Sequence, residues 1–176
     1  MVKHRTVKPV RKAHLTEKRT YFKQADFPQA TLQQAQKIAS MIVDNFASDG
    51  GSPPDIALAL GISPTSSSWS TLAGASVAYG LTDGGVNATK TELTSLGRRL
   101  VAPEHEGEDL IARREAILRP RILKEFFERY RRAKLPNDTI AVSVLKGLGL
   151  PAERVQSALE IIIALPKSKC YCTHAA

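Results

Sequence analysis

Ten side chains between residues 65 and 99 carry the chemistry this sequence offers, and it is the chemistry of contact rather than of bond-making. Thr65, Ser66, Ser67, Ser70 and Thr71 crowd hydroxyls into one short run; Asn87, Thr89 and Lys90 follow, then Arg98 and Arg99. Hydroxyl and amide groups of this kind donate to and accept from phosphate oxygens and base edges. Lys and Arg neutralise phosphates and displace their counterions. Each group also has a plainer role. Small polar residues at a helix start satisfy its free N–H groups, and Arg98-Arg99 suits a solvated helix face. Residues 64–79 hold no Lys or Arg, so the hydroxyl run lacks the guanidinium–guanine pairing that dominates specific base readout.

Nothing in the chain has the pattern of a catalytic site. His4, His14, His105 and His174 are scattered, and no nucleophile elbow, phosphate loop, paired-carboxylate motif or zinc spacing is present. Cys170, Cys172 and His174 are three soft ligands close together, but a structural zinc site normally takes two ligand pairs on a folded frame. No catalytic, cofactor-binding or metal residue is assigned, and no cofactor is expected.

The elements that position the ten side chains are predicted from periodicity and punctuation. Thr31 caps a helix running to about Phe46, with Leu32, Ala35, Ile38, Ala39, Ile42, Val43 and Phe46 on one stripe. Asp49-Gly50-Gly51 breaks the chain. Ser52 caps a short helix opened by Pro53, with Ile56, Ala59 and Leu60 on one face, and Gly61 stops it. Ser63 and Pro64 then open a longer helix whose buried stripe is Trp69, Leu72, Ala73, Ser76 and Val77, ended at Gly80; Gly74 suggests a close neighbour. Leu81 to Asp83 reads as a strand, Gly84-Gly85 as a tight turn and Val86 to Leu93 as the return strand. Thr94 caps a closing helix with Leu96, Gly97, Leu100 and Val101. Helix, turn, longer helix, hairpin, helix is the order of a winged helix-turn-helix, in which the second helix lies in the major groove. Farther on, helices are expected up to Leu118, from Ile122 to Tyr130, from Ile140 to Leu148 and from Ala152 to about Ala164, the last with Val155, Ala158, Leu159, Ile162 and Ile163 inward. Arg121, Lys124, Arg129, Arg131, Arg132 and Lys134 on the second of these, with Arg113, Arg114 and Arg119 just before it, suit a second phosphate-facing patch or, with Glu115, Glu125 and Glu128 interspersed and Glu125–Arg129 and Glu128–Arg132 at i,i+4, an ordinary exposed helix.

The expected fold is therefore mainly α: a winged helix-turn-helix with a small β-hairpin, followed by a C-terminal helical subdomain. Its predicted divisions are a basic arm over 1–26, the winged region over 27–102, the helical subdomain over 103–165 and a tail over 166–176. The motifs SPTSSSW, GASVAYGLTDGG, LTSLGRRLVAP, DLIARREAILRPRILKEF and GLPAERVQSALEII span most of residues 27–163. Through them the chain resembles a prokaryotic family of uncharacterised proteins, a domain of unknown function with a winged helix-turn-helix region. The resemblance implies the fold and no activity. It also implies an AGLL-like turn and a further hairpin after the last helix, where ALPKSKCYCTHAA stands instead. GLGLPAERVQSALEII loosely echoes LALGISPTSSSWSTLAGA, as a second helix-turn-helix without its wing would.

Net charge is +8, and its location gives it meaning. Residues 1–23 hold eight Lys/Arg and one acid; residues 24–176 hold 17 basic and 16 acidic groups. The excess sits in the arm, which suits sequence-blind attraction to phosphates, a solubilising leader, or a transit peptide. No apolar run approaches the ~20 residues of a membrane helix. Two late cysteines make no disulfide framework, so a reducing cytoplasm is the default. Two functions are expected from these residues: binding of double-stranded DNA, as a regulator or accessory factor, and alternatively protein–protein docking, with a dimer as one form.

Overall fold

Thr31 opens the first helix with both halves of a capping box: its hydroxyl accepts from the Gln34 N–H, and the Gln34 carboxamide oxygen accepts from the Thr31 N–H at 2.9 Å. The computed structural model describes Lys23 and residues 25–131 and 133–164. In order these form α1 (Leu32–Asn45), α2 (Pro53–Ala59), α3 (Ser67–Ala78), β1 (Thr82–Asp83), β2 (Glu92–Leu93), α4 (Ser95–Val101), α5 (Glu108–Ile117), α6 (Arg121–Arg129), α7 (Asp138–Gly147) and α8 (Ala152–Ala164). The described part is thus mainly helical with one two-stranded antiparallel sheet.

Two apolar clusters hold these elements. The smaller contains Ile38, Ile42, Ile56, Ala57, Trp69 and Ala73 and joins α1, α2 and α3. The larger runs from Leu32 and Ala35 of α1 through Tyr79, Leu96 and Leu100 to Phe126, Leu145 and Leu159. It therefore contains side chains from both sides of residue 103. α3 touches both clusters, Trp69 and Ala73 facing one and Ala75 the other. Complete burial of Trp69 is worth about 5 kcal/mol before ordering entropy is subtracted. Serving two clusters widens the buried arc of α3: Ala75 joins it, while Val77 remains 41% exposed instead of lying inside as its spacing suggested. On α2 Ala57 joins Ile56 in the smaller cluster, and Ala59, expected inside, is exposed.

α3 starts later than its sequence suggests. Ser66, not Ser63, is the N-cap, and residues 63–66 form a turn closed by the Ser66 N–H on the Ser63 carbonyl at 3.0 Å. Ser63, Thr65, Ser66 and Ser67 can all cap, so local chemistry does not choose among them.

The hairpin is also shorter than expected. Only two residue pairs ladder, Thr82 with Leu93 and Asp83 with Glu92. Gly84-Gly85 is not a two-residue turn; residues 84–91 form a longer loop. Two contacts explain this. Val86 packs inward against the Trp69 cluster, pulling the chain off the ladder. Thr91 exchanges both backbone bonds with Gly51 (2.8 and 3.1 Å), so the break after α1 becomes a neighbour of the return chain. Gly50 is required there: its φ is +82°, and a Cβ would run into the Thr91 carbonyl oxygen.

α4 packs on α5 and α1. Its cap, Thr94, donates its hydroxyl to the Gly80 (2.6 Å) and Leu81 (3.0 Å) carbonyls while accepting from the Gly97 N–H. One side chain thus ties the end of α3, the start of the hairpin and the start of α4. Ala112 and Ala116 give α5 a small buried face. α6 buries Ile122, Leu123, Phe126 and Phe127, and its Glu125 takes Arg121 as ion-pair partner at 3.1 Å. Arg132 lies outside the described residues. Asn137 caps α7, accepting from the Ile140 N–H. On α8 the buried stripe includes Ile161 as well as Val155, Ala158, Leu159 and Ile162, whereas Ile163, expected inside, is 49% exposed. No helix among the described residues is long and apolar enough to cross a membrane.

Candidate nucleic-acid interface

The turn before α3 and the first part of α3 present their hydroxyls unequally. Thr65, Ser67 and Ser70 are exposed, and Thr71 is half-buried. Ser66 is committed to the backbone: its Oγ accepts from the Trp69 N–H at 3.1 Å and donates to the Ser63 carbonyl at 2.7 Å. Ser70 makes a long 3.4 Å bond to the Ser66 carbonyl, so its hydroxyl is easily redirected. Ser68, which periodicity passed over, is exposed as well.

In the 84–91 loop Asn87, Thr89 and Lys90 are all exposed. The loop is braced at its base by Val86 in the Trp69 cluster, by the Ala88 N–H on the Gly85 carbonyl (3.0 Å) and by the Thr91 hydroxyl on the Gly84 carbonyl (3.4 Å). Lys90 Nζ lies 2.7 Å from a Glu92 carboxylate oxygen. That hydrogen bond, with the fields of Glu92 and Asp49, holds the ammonium above its usual range. A phosphate at Lys90 has to displace Glu92, an exposed pair of small net worth.

Arg98 and Arg99 separate in space. Arg98 is exposed and has no ion pair among the described residues. Arg99 is half-buried and turned to α5, 3.3 Å from Glu108 and 3.1 Å from Glu115. Glu108 is itself the anchor of the α5 start. Backbone N–H donation from Glu104 (2.9 Å), and then from His105 and the field of Arg99, holds its carboxyl below the usual range. The structure therefore ties Arg99 to α5 and does not place it among the residues lining the cleft beside α3.

That cleft, of about 360 Å³, lies between α3 and the 84–91 loop. Ser70, Gly74, Val77 and Ala78 form one wall, Gly85 and Val86 the other, with Ala25 and Arg119 at its edge. Sequence reasoning grouped Arg119 with the basic residues around α6, as a phosphate-facing patch or an ordinary solvated face, and did not bring it to this cleft, because it stands in the short break between α5 and α6, 33 positions beyond Val86. Its neighbour Pro120 marked a break and nothing more. The chain reaches the cleft at a fixed point: the Asp26 carbonyl accepts from the Ile122 N–H at 3.1 Å, and its carboxylate pairs with Arg121 at 3.1 Å. Among the described residues no group of three His, Cys, Asp or Glu is placed to hold a metal ion; Cys170, Cys172 and His174 lie outside them.

Comparison with protein-family models, with curated proteins and with solved structures gives no match.

Proposed function

We propose that this chain is a winged helix-turn-helix protein of the uncharacterised family its motifs resemble, and that it docks on double-stranded DNA as a regulator or accessory factor. The helix-turn-helix is α2–α3, the wing is the 84–91 loop between β1 and β2, and the third contact to the wing base comes from Gly51. The turn before α3 offers Thr65, and α3 offers Ser67, Ser70 and Thr71, to the groove, while the wing offers Asn87, Thr89 and Lys90 to the flanking backbone. The observation that carries this reading is the anchorage of residues 25 and 26. Asp26 is pinned to the start of α6 and Ala25 borders the cleft beside α3. Residues 1–23, which carry eight Lys/Arg, are joined in sequence to this anchored point, and they add phosphate attraction to the near-neutral residues 24–176.

The test is binding of labelled random duplex DNA across a salt series, by the full chain and by a chain starting at Gln24. The expected result is that both bind, the shorter more weakly and with a smaller salt slope, and that Lys90→Ala or Arg98→Ala weakens it further. Binding by the full chain alone, collapsing as salt rises, refutes a role for α3.

A second reading, protein docking through the C-terminal helices, is favoured by one feature. Leu110 and Ile111 are 60% and 63% exposed on α5, and Ile111 borders a cleft of about 430 Å³ with Leu118 and Phe127. Arg114, Glu115, Glu128 and Arg131 rim it with both charge signs, so two copies related by a twofold axis can pair opposite charges across it.

A further inference from the structure

The cleft between α3 and the wing has a composition that suits one ligand chemistry. Arg119 is the one charged side chain among the described residues that line it. The Arg119 side chain lies over Gly80, where a Cβ would be 3.0 to 3.1 Å from its atoms. That places a cation at the C-terminal end of α3, where the helix dipole favours it. Its carboxylate partner is weak: Glu115 is 3.9 Å from Arg119, while the same carboxylate binds Arg99 at 3.1 Å. The guanidinium keeps donors for an incoming anion, and it is 53% exposed to receive one.

The walls complete the description. Ser70 carries a hydroxyl held only by a 3.4 Å bond. Gly74 and Gly85 face the cleft from opposite sides without side chains, and nothing lies within 4 Å of where a Gly85 Cβ would stand. Val77, Ala78 and Val86 supply an apolar floor. One cation, one hydroxyl, room for close backbone approach and an apolar surface match a phosphate joined to a deoxyribose. They do not match a base edge, which calls for a fixed pattern of donors and acceptors.

We propose that this cleft seats one sugar-phosphate strand of the duplex between α3 and the wing, with Arg119 as its phosphate-binding cation. This rests on the DNA-docking reading and adds to it. The α5–α6 junction becomes part of the interface, so the helices after residue 103 contribute to binding and not only to the core. Arg119 contacts the backbone and carries no sequence preference.

The experiment uses the full chain and a random duplex, with affinity measured from about 50 to 200 mM salt. Neutralising one phosphate contributes about 0.9 to the slope of log K against log salt. Arg119→Gln is expected to lower the slope by about that amount, so the wild-type advantage shrinks roughly 3-fold across the range. Arg119→Lys, which keeps the charge, is expected to restore the slope, a result that a purely structural role for Arg119 does not produce. Gly85→Asp, which has open space for its side chain, is expected to weaken binding to the same duplex without lowering the melting temperature; it tests the seat even if Arg119→Gln does not fold. If wild type fails to bind, the DNA reading falls and this one with it. If wild type binds and Lys90→Ala is weaker, while Gly85→Asp and any folded Arg119→Gln keep the wild-type affinity and slope, the seat alone is refuted.

Discussion

Replacing Gly97 with alanine isolates how α4 is fitted to the hairpin. A Cβ at Gly97 would drive into the Leu81 carbonyl oxygen and stand 2.9 Å from both the Leu81 carbonyl carbon and Leu93 Cδ1. The carbonyl has little freedom to retreat, because it already accepts from the Thr94 N–H at 3.1 Å and from the Thr94 hydroxyl at 3.0 Å. Restoring ordinary contact therefore requires α4 to move away from β1 by roughly half an ångström or more. Overpacking of this kind costs up to about 3 kcal/mol. Alanine returns about 1 kcal/mol through its better helix propensity. The net expected loss is about 2 kcal/mol, or roughly 4–8 °C in melting temperature for a domain of this size. Thermal and urea unfolding followed by circular dichroism measure it. Gly147→Ala is the internal control: it ends α7 with nothing within 4 Å of its Cβ position, so the same substitution there gains a few tenths of a kcal/mol at most. A Gly97→Ala protein that melts at or above the wild-type temperature refutes the packing argument, and with it the account of why glycine stands in LTSLGRRL.

Other outcomes follow from the same geometry. The buried Tyr79 hydroxyl donates to the Ala30 carbonyl at 3.1 Å, and burial raises its pKa far above the phenol range; Tyr79→Phe leaves that carbonyl unpaired and is expected to cost about 1–2 kcal/mol in urea unfolding. Glu108 has a lowered pKa in the folded state, so its contribution is present above the ordinary carboxylate range and is lost as pH falls through the folded value. Glu108→Gln is then expected to melt below wild type near pH 7 and to converge with it in acid; a constant gap at all pH values contradicts the linkage. If two copies associate through α5, Ile111→Glu shifts sedimentation equilibrium toward monomer at high protein concentration, and a wild type that remains monomeric there refutes that association.

Sequence fixed most of the local structure because local structure has local causes. The caps at Thr31, Ser52 and Thr94 were legible since each is a short polar residue before an apolar-periodic run, whereas Asn137 and Asp138 were equal candidates until the structure chose Asn137. The α1 stripe was legible because its buried residues, though shared between the two clusters, recur at spacings of three and four along the helix. The hydroxyl run, the polar residues Asn87, Thr89 and Lys90 and the charge of residues 1–23 are read directly from residue types and positions.

What required the tertiary structure is what depends on partners distant in sequence. Four adjacent hydroxyls can cap α3, and only the burial of Trp69 with the turn at Ser63 selected Ser66. The double glycine suggested a tight turn with a return strand from Val86 to Leu93, but Val86 packs against the Trp69 cluster and Thr91 pairs with Gly51, leaving two ladder pairs. Arg98 and Arg99 are neighbours in sequence and look alike there; packing of α4 on α5 gave one of them to Glu108 and Glu115. Arg119 read only as one of many basic residues around α6, because nothing local separates it from Arg113 or Arg114 until the fold brings it to Gly80 and the cleft. Short-range hydrogen bonding and periodicity write themselves into neighbouring residues. Which charges are consumed and which remain on a surface is decided by contacts that only chain closure creates.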